Sequence, residues 1–357
     1  MSEGTQVAAS IGTESFPSCH LCGATGTILY RGLQDCARSV AGSWDLKRCP
    51  EHGCGLVWMD PMPTEAEIGK AYQSYYTHAV PSAAGPAPGR IDRLMNRAGT
   101  AYLQGKFGYR QGLGSPKLRW FYLPAAALIS VLPGSRDFIE GLTCFVPAPQ
   151  PGGRLLEVGF GSGSTLVTMR DLGWNVVGIE TDPVSVANSQ ALGLDVRHGP
   201  LEAHAFPDAS FDVVYASHVL EHVHDPLGLL RECHRVLKPG GAVVMTTPNL
   251  ASWGHRRFGA DWVLLDAPRH LMLFSPRNAR TILQKAGFRT GRVRSTARLS
   301  FMYFGMTELY RRLGGLDGVT SWPKWVTRRA YVQHVIENLL MVVDPQAGDE
   351  LLLIAKK

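Results

Sequence analysis

The stretch Leu155-Leu156-Glu157-Val158-Gly159-Phe160-Gly161-Ser162-Gly163-Ser164-Thr165-Leu166 constrains the fold more than any other. Arg154 to Val158 is short, apolar and compatible with a β-strand covered on both faces. Three glycines at alternate positions then allow a sharp turn and a backbone that comes close to a ligand. Ser164 or Thr165 is expected to cap the helix that follows. A strand, a glycine turn and a helix in that order suit a nucleotide-like ligand but do not identify it.

The next hundred residues repeat the unit. Asn175 to Glu180 reads as a second buried strand ending in a carboxylate. It lies about twenty residues past the glycine turn, where a βαβ unit sets an acid against ribose hydroxyls. Asp182-Pro183 caps and starts the next helix, and Asp195 to His198 is a third strand. Phe211 to Ala216 is the fourth, Asp225-Pro226 begins another helix, and Ala242 to Thr246 is the fifth strand. Strands alternating with helices predict an α/β fold, a parallel sheet with helices on both faces. Beyond Asn249 we expect a helix over Pro276 to Ala286, a strand over Phe288 to Ser295 and a closing strand over Asp349 to Ala355. An amphipathic helix over residues 325–343 should pack Val332, Val335, Ile336, Leu339, Leu340 and Val343 on its own domain.

The N-terminal part is of another kind. Residues 1–17 are small and polar without periodicity, as in a disordered tail. Five of the seven cysteines fall within the first 54 residues, which points to metal rather than disulfides in a cytosolic chain. Cys19 and Cys22 form one knuckle, and Cys49 and Cys54 a second with four residues between its thiols. The four are expected to hold a closed, structural zinc ion, with His52 or Cys36 as the substitute ligand. Residues 18–60 are thus expected to be ribbon-like. A helix opens at Thr64 and is expected to run through Tyr76, and residues 61–152 read as a helical linker or lid with a Pro/Ala/Gly-rich break over Val80 to Gly89. No apolar run reaches the eighteen or so residues of a membrane span, and the N-terminus lacks a signal-peptide pattern, so the cytoplasm is the expected location. A net charge of +6 permits an anionic partner without requiring one.

Taken together, these residues resemble the class I S-adenosylmethionine-dependent methyltransferases. The likeness rests on Glu157 to Gly163, Glu180, Ser210 to Val214, His218 to Val223 and Leu237-Lys238-Pro239-Gly240-Gly241. Pro268 to Pro276 resembles the subgroup related to the ubiquinone-biosynthesis O-methyltransferases. The resemblance implies a Rossmann-like seven-stranded sheet over residues 153–357, with a substrate-cap insertion within 249–345. It implies S-adenosylmethionine as cofactor, contacted by Glu157, Gly159, Phe160, Gly161, Gly163, Glu180, Leu201, Glu202 and Ser217. Pro200 stands where the family often has an Asp, which leaves the adenine contact to Glu202 or to backbone groups. His218 at the mouth of strand four and His270 after strand five are the candidate general bases for a protonated acceptor.

The expected acceptor is a small metabolite, such as a sugar nucleotide or glycan precursor, methylated on oxygen or carbon. An RNA methyltransferase using the zinc ribbon and basic surface is the alternative. Ala216-Ser217-His218 replaces the Asn-Pro-Pro-aromatic sequence of base-amine methylation, and no cysteine there offers a nucleophile for pyrimidine C5. A cofactor-binding scaffold without catalysis is the third reading. The intact glycine turn and Glu180 argue against it.

Overall fold

The computed structural model describes residues 10–50, 54–72, 90–109, 124, 127, 133–319 and 321–357. Strands β1 (Thr13–Glu14), β2 (Thr27–Leu33), β3 (Trp44–Arg48), β4 (Val57–Met59) and β5 (Met62–Pro63) precede helices α1 (Arg90–Phe107) and α2 (Pro133–Gly141). The α/β part then runs β6 (Arg154–Val158), α3 (Ser164–Asp171), β7 (Asn175–Glu180), α4 (Pro183–Ala191), β8 (Val196–His198), β9 (Phe211–Ser217), α5 (Pro226–Val236) and β10 (Leu237–Pro248). Helix α6 (Trp253–Phe258), β11 (Met272–Leu273), α7 (Pro276–Lys285), β12 (Arg289–Thr296), α8 (Ser300–Leu313), α9 (Lys324–Val343) and β13 (Glu350–Lys356) complete the chain.

Seven strands form one sheet in the order β12-β13-β10-β9-β6-β7-β8. Strands β6 to β10 within it are parallel, whereas β13 runs antiparallel to both β10 and β12. Apolar residues such as Leu155, Leu156, Val214 and Val244 are fully buried, as strands covered on both faces require. β6 pairs with β7 on one side and β9 on the other, so the winding reverses there, the point at which open α/β sheets form a crevice at the strands' carboxyl ends. Because β13 is antiparallel, its first residue, Glu350, enters at that same edge beside Pro248. Asp182 and Asp225 cap α4 and α5 as anticipated. The cap of α3 is different: Gly163, in a left-handed conformation, occupies it without a side-chain bond.

The N-terminal strands are not a free-standing ribbon. The second sheet has the order β11-β4-β3-β2, so two residues from beyond β10 complete it. Trp58 is fully buried in a core shared with Leu271, Phe274 and Ile282. Within the segment expected to be a disordered tail, residues 13–14 pair with β5. Asp60 orders this segment by accepting from Phe16 N at 2.8 Å and Ser15 Oγ at 3.1 Å. Residues 1–9 lie outside the described residues, as do 73–76 of the expected helix, of which a short 3-10 turn over Ile68–Tyr72 is described. Among the described residues no helix is long and apolar enough to cross a membrane.

Helix α9 reverses the anticipated orientation. Val332, Val335, Ile336, Leu339 and Val343 are exposed, while Val326, Ala330, Gln333 and Glu337 face inward. The surface it meets is partly polar, and Gln333 Nε2 donates to buried Glu308 at 2.6 Å. Glu337 and Asp349 are both fully buried. Burial pushes each carboxyl up, Asp349 to about 7, and Asp349's charge raises Glu337 further. A carboxyl raised above its unfolded pKa stabilises the fold less as pH rises toward the folded value. The variant Glu337→Gln should therefore melt a few degrees above the parent near pH 8, with a smaller gap near pH 5. Thermal denaturation at the two pH values checks this, and an unchanged gap would contradict it.

Candidate functional site

The crevice is built first by the glycine turn. Gly159, Gly161 and Gly163 all have positive φ (69°, 56° and 74°). A Cβ on Gly159 would lie 2.5 Å from Val219 Cγ2, and one on Gly163 would lie 2.6 Å from Ser189 Oγ. A Cβ on Gly161 would meet nothing, and its N–H donates to Glu180 Oε2 at 2.8 Å. Glu180 Oε1 also accepts from Thr181 N (2.7 Å) and Asp182 N (3.1 Å). The acid at the end of β7 thus tethers the turn at the end of β6. Glu157 is buried, its Oε2 has no hydrogen-bond partner among the described residues, and burial pushes its carboxyl well above the usual range. An orphaned acceptor beneath an open glycine turn fits a ligand that brings its own cationic donor, as the amino group of S-adenosylmethionine does.

Other expected contacts divide. Leu201 is buried and Glu202 exposed, side by side in a short 3-10 turn. Phe160 packs away from the crevice with Leu166, Val186 and Leu194, so only its backbone is available. Ser217 Oγ bonds Thr246 Oγ1 at 2.8 Å across the ends of β9 and β10.

His218 sits at the strand mouth, in a left-handed conformation with φ 55°. Both of its ring nitrogens face carboxylates. Nδ1 lies 2.9 Å from Glu221 Oε1 and Nε2 lies 2.7 Å from Glu350 Oε1. Burial alone would lower its pKa, but the bonds and charges of the two carboxylates outweigh that and raise it to about 9. Both ring nitrogens are engaged by carboxylates, an arrangement that favours the protonated ring. Glu350 also takes Arg298 Nη2 at 2.9 Å and Tyr303 Oη at 3.3 Å. Burial opposes ionisation of Glu221 and Glu350, yet their cationic partners hold both near 2.

His270 packs against His222, with ring centroids 4.6 Å apart. It is 4 % exposed and donates from Nδ1 to Leu264 O at 2.8 Å. Its neighbour His222 has Nδ1 2.9 Å from Arg269 O, and a carbonyl can only accept, so Nδ1 carries the proton. Burial, then the nearby His270, lowers His222 to about 4. Tyr72 Oη reaches His222 Nδ1 at 2.8 Å, which sets the N-terminal segment against the loop that follows β9. Sequence reading missed Tyr72, Arg298, Tyr303 and Glu350. The one local signal was a pair of acids, Asp349-Glu350, opening an otherwise apolar strand.

The expected metal ligands converge. Cys19, Cys22, Cys49 and Cys54 place their sulfurs within 4.8 Å of one another, with Cys19–Cys54 at 3.5 Å and Cys22–Cys49 at 3.4 Å. Four thiols so spaced approach the edges of a tetrahedron around an ion with ~2.3 Å metal–sulfur bonds. Cys36 lies elsewhere, donating to Asp266 at 3.2 Å, and His52 is outside the described residues. Lys285 of α7 bonds Leu21 O, which fixes the first knuckle on the α/β core.

Residues 134–291 match a family model described as a methyltransferase domain. A Mycolicibacterium smegmatis protein named as a probable S-adenosylmethionine-dependent methyltransferase is 35% identical over 166 residues, 46% of this chain and 61% of that protein. A ubiquinone biosynthesis O-methyltransferase of Cereibacter sphaeroides is 34% identical over 153 residues, 40% of this chain and 62% of its own length. The chain therefore spans less than two thirds of the curated relatives it matches. A methyltransferase solved with the Haloferax volcanii Trm112 activator is 21% identical, with a TM-score of 0.44 over 66% of this chain and 95% of that one.

The clamp on His218 has a direct readout. Its ring should titrate near pH 9 by NMR, and Glu350→Gln should bring the midpoint down by at least one unit. A parent midpoint at the ordinary value near 6.5 would sink the charged-imidazole assignment.

Proposed function

We propose that this chain, whose residues 134–291 form a methyltransferase domain of the S-adenosylmethionine-dependent kind, methylates a small-molecule acceptor in the crevice at the carboxyl ends of β6 and β9. The observation that carries the reading is the glycine turn tied to Glu180 through Gly161 N–H, together with the buried, unpartnered Glu157 Oε2 on the strand that leads into it. Glu180 offers its remaining lone pairs to two ribose hydroxyls, and Glu157 takes the ammonium group. Backbone groups from Gly159 to Gly163 follow the methionine portion, and the Leu201–Glu202 turn borders the adenine. When bound, S-adenosylmethionine supplies an activated methyl group on a sulfonium.

The chain's own work is positioning and exclusion of water. Ser217, Thr246 and Arg298 line the strand ends, and Arg298 Nη2 lies 3.5 Å from Ser217 Oγ and 3.4 Å from Thr246 Oγ1. His218 and Arg298 both carry positive charge here, and Glu350 holds them in place. Arg298 Nη2 and the Ser217 and Thr246 hydroxyls suit an acceptor that presents an oxygen, as a sugar nucleotide or glycan precursor does. With both ring nitrogens engaged, His218 acts by orienting and by electrostatics rather than by removing a proton.

In this reading the four cysteines hold one structural zinc ion, whose loss would loosen the first knuckle from α7. Metal analysis should find about one zinc per chain, and Cys22→Ser should lose the metal and lower the melting temperature; a metal-free, equally stable parent would refute this.

The activity is tested with labelled S-adenosylmethionine across sugar nucleotides, phenolic acceptors and RNA. Label is expected on a small molecule, and transfer to RNA alone would overturn the acceptor class. Titration calorimetry should show Glu180→Ala weakening cofactor binding at least tenfold, roughly 1.4 kcal/mol. Equal affinity would remove Glu180 from the site.

A further inference from the structure

The outward face of α9 has no partner among the described residues. Trp325 (42 %), Tyr331 (61 %), Val332 (49 %), Leu339 (66 %), Val342 (70 %) and Val343 (79 %) are exposed there, with Val335 and Ile336 between them. A monomer seldom leaves so many large apolar side chains together in water. Trp325, Val332 and Leu339 recur every seven residues, and Val335 and Val342 fall midway. That is the heptad spacing of a helix that packs along another helix.

We infer that α9 pairs antiparallel with α9 of a second copy of this chain about a twofold axis. Charge selects both the partner and its direction. Lys324 and Arg328 are exposed at the N-terminal end, where the helix's own dipole disfavours cations, and the first turn holds no acid. A parallel pair would set these cations against their copies. An antiparallel pair lays them beside the carbonyl end of the partner helix, near Val342 and Val343, and a twofold contact closes on itself. Twenty residues give a seam of about 30 Å, long enough for the core of a standard interface. A lipid surface is the poorer fit. From Tyr331 to Val343 the exposed face bears no cation, so attraction to anionic headgroups would act at one end alone.

Sedimentation equilibrium of the full chain is the test, with light scattering at several concentrations. The parent should give about twice the 39.0 kDa chain mass. Leu339→Glu should raise the dissociation constant roughly a hundredfold with an unchanged circular dichroism spectrum, because the residue is solvent-facing. Val335→Cys, near the middle of the seam, should cross-link between copies on oxidation, and Val343→Cys should not. Cross-linking of both would overturn the antiparallel arrangement. A parent that is monomeric at every concentration would overturn the proposal. In that event, binding of the monomer to phosphatidylglycerol vesicles would assign the face to a membrane. Destabilisation of the monomer by Leu339→Glu would instead assign it to the chain's own segment 110–132, which lies outside the described residues.

Discussion

The arrangement at the crevice depends on one buried carboxylate, Glu350. An ionised carboxylate away from water is tolerated only when cations and donors surround it. His218 Nε2 at 2.7 Å, Arg298 Nη2 at 2.9 Å and Tyr303 Oη at 3.3 Å meet that need. They come from the loop after β9, the turn after β12 and helix α8. Satisfying one charge therefore fixes three segments relative to the sheet edge. It also bears on the chemistry, because an imidazole held between Glu221 and Glu350 is favoured in its protonated form.

A second buried ionic group unites the two halves of the chain. Arg269 is fully buried and bonds Asp266 and Asp35, the latter at 2.6 Å, and it donates to Ala71 O at 3.3 Å. Removing one member would strand a charge in the interior, so the N-terminal segment is held firmly where Tyr72 meets His222. The strand exchange through β11 and the burial of Trp58 act in the same direction. The cysteine-bearing unit is thereby packed into the α/β core and is not an appendage.

Helix α9 shows how an inward face can be chosen by polar satisfaction. Gln333 meets Glu308 and small Ala330 permits close approach to the core, while the larger aliphatic side chains stay outside. An apolar stripe therefore signals burial against something, without saying against what.

Local pattern made much of the molecule legible. The alternation of strands and helices, the glycine turn, the acid at Glu180, the Asp caps and the four-cysteine set all followed from short-range rules, because each depends on residues close in sequence or on a strict period. The roles of His218 and His270 did not. His218 is set by Glu350, which lies 132 residues away and reaches it because β13 runs antiparallel to its neighbours. His270 is set by the fold of its own loop onto Leu264. The side on which α9 lies was equally unreadable, since it depends on Glu308, 25 residues away from Gln333. Sequence alone determined the α/β sheet, the glycine turn and the cluster of four cysteines. Tertiary structure alone decided which ionisable groups face one another, because the partners of a buried charge are brought by segments distant in sequence.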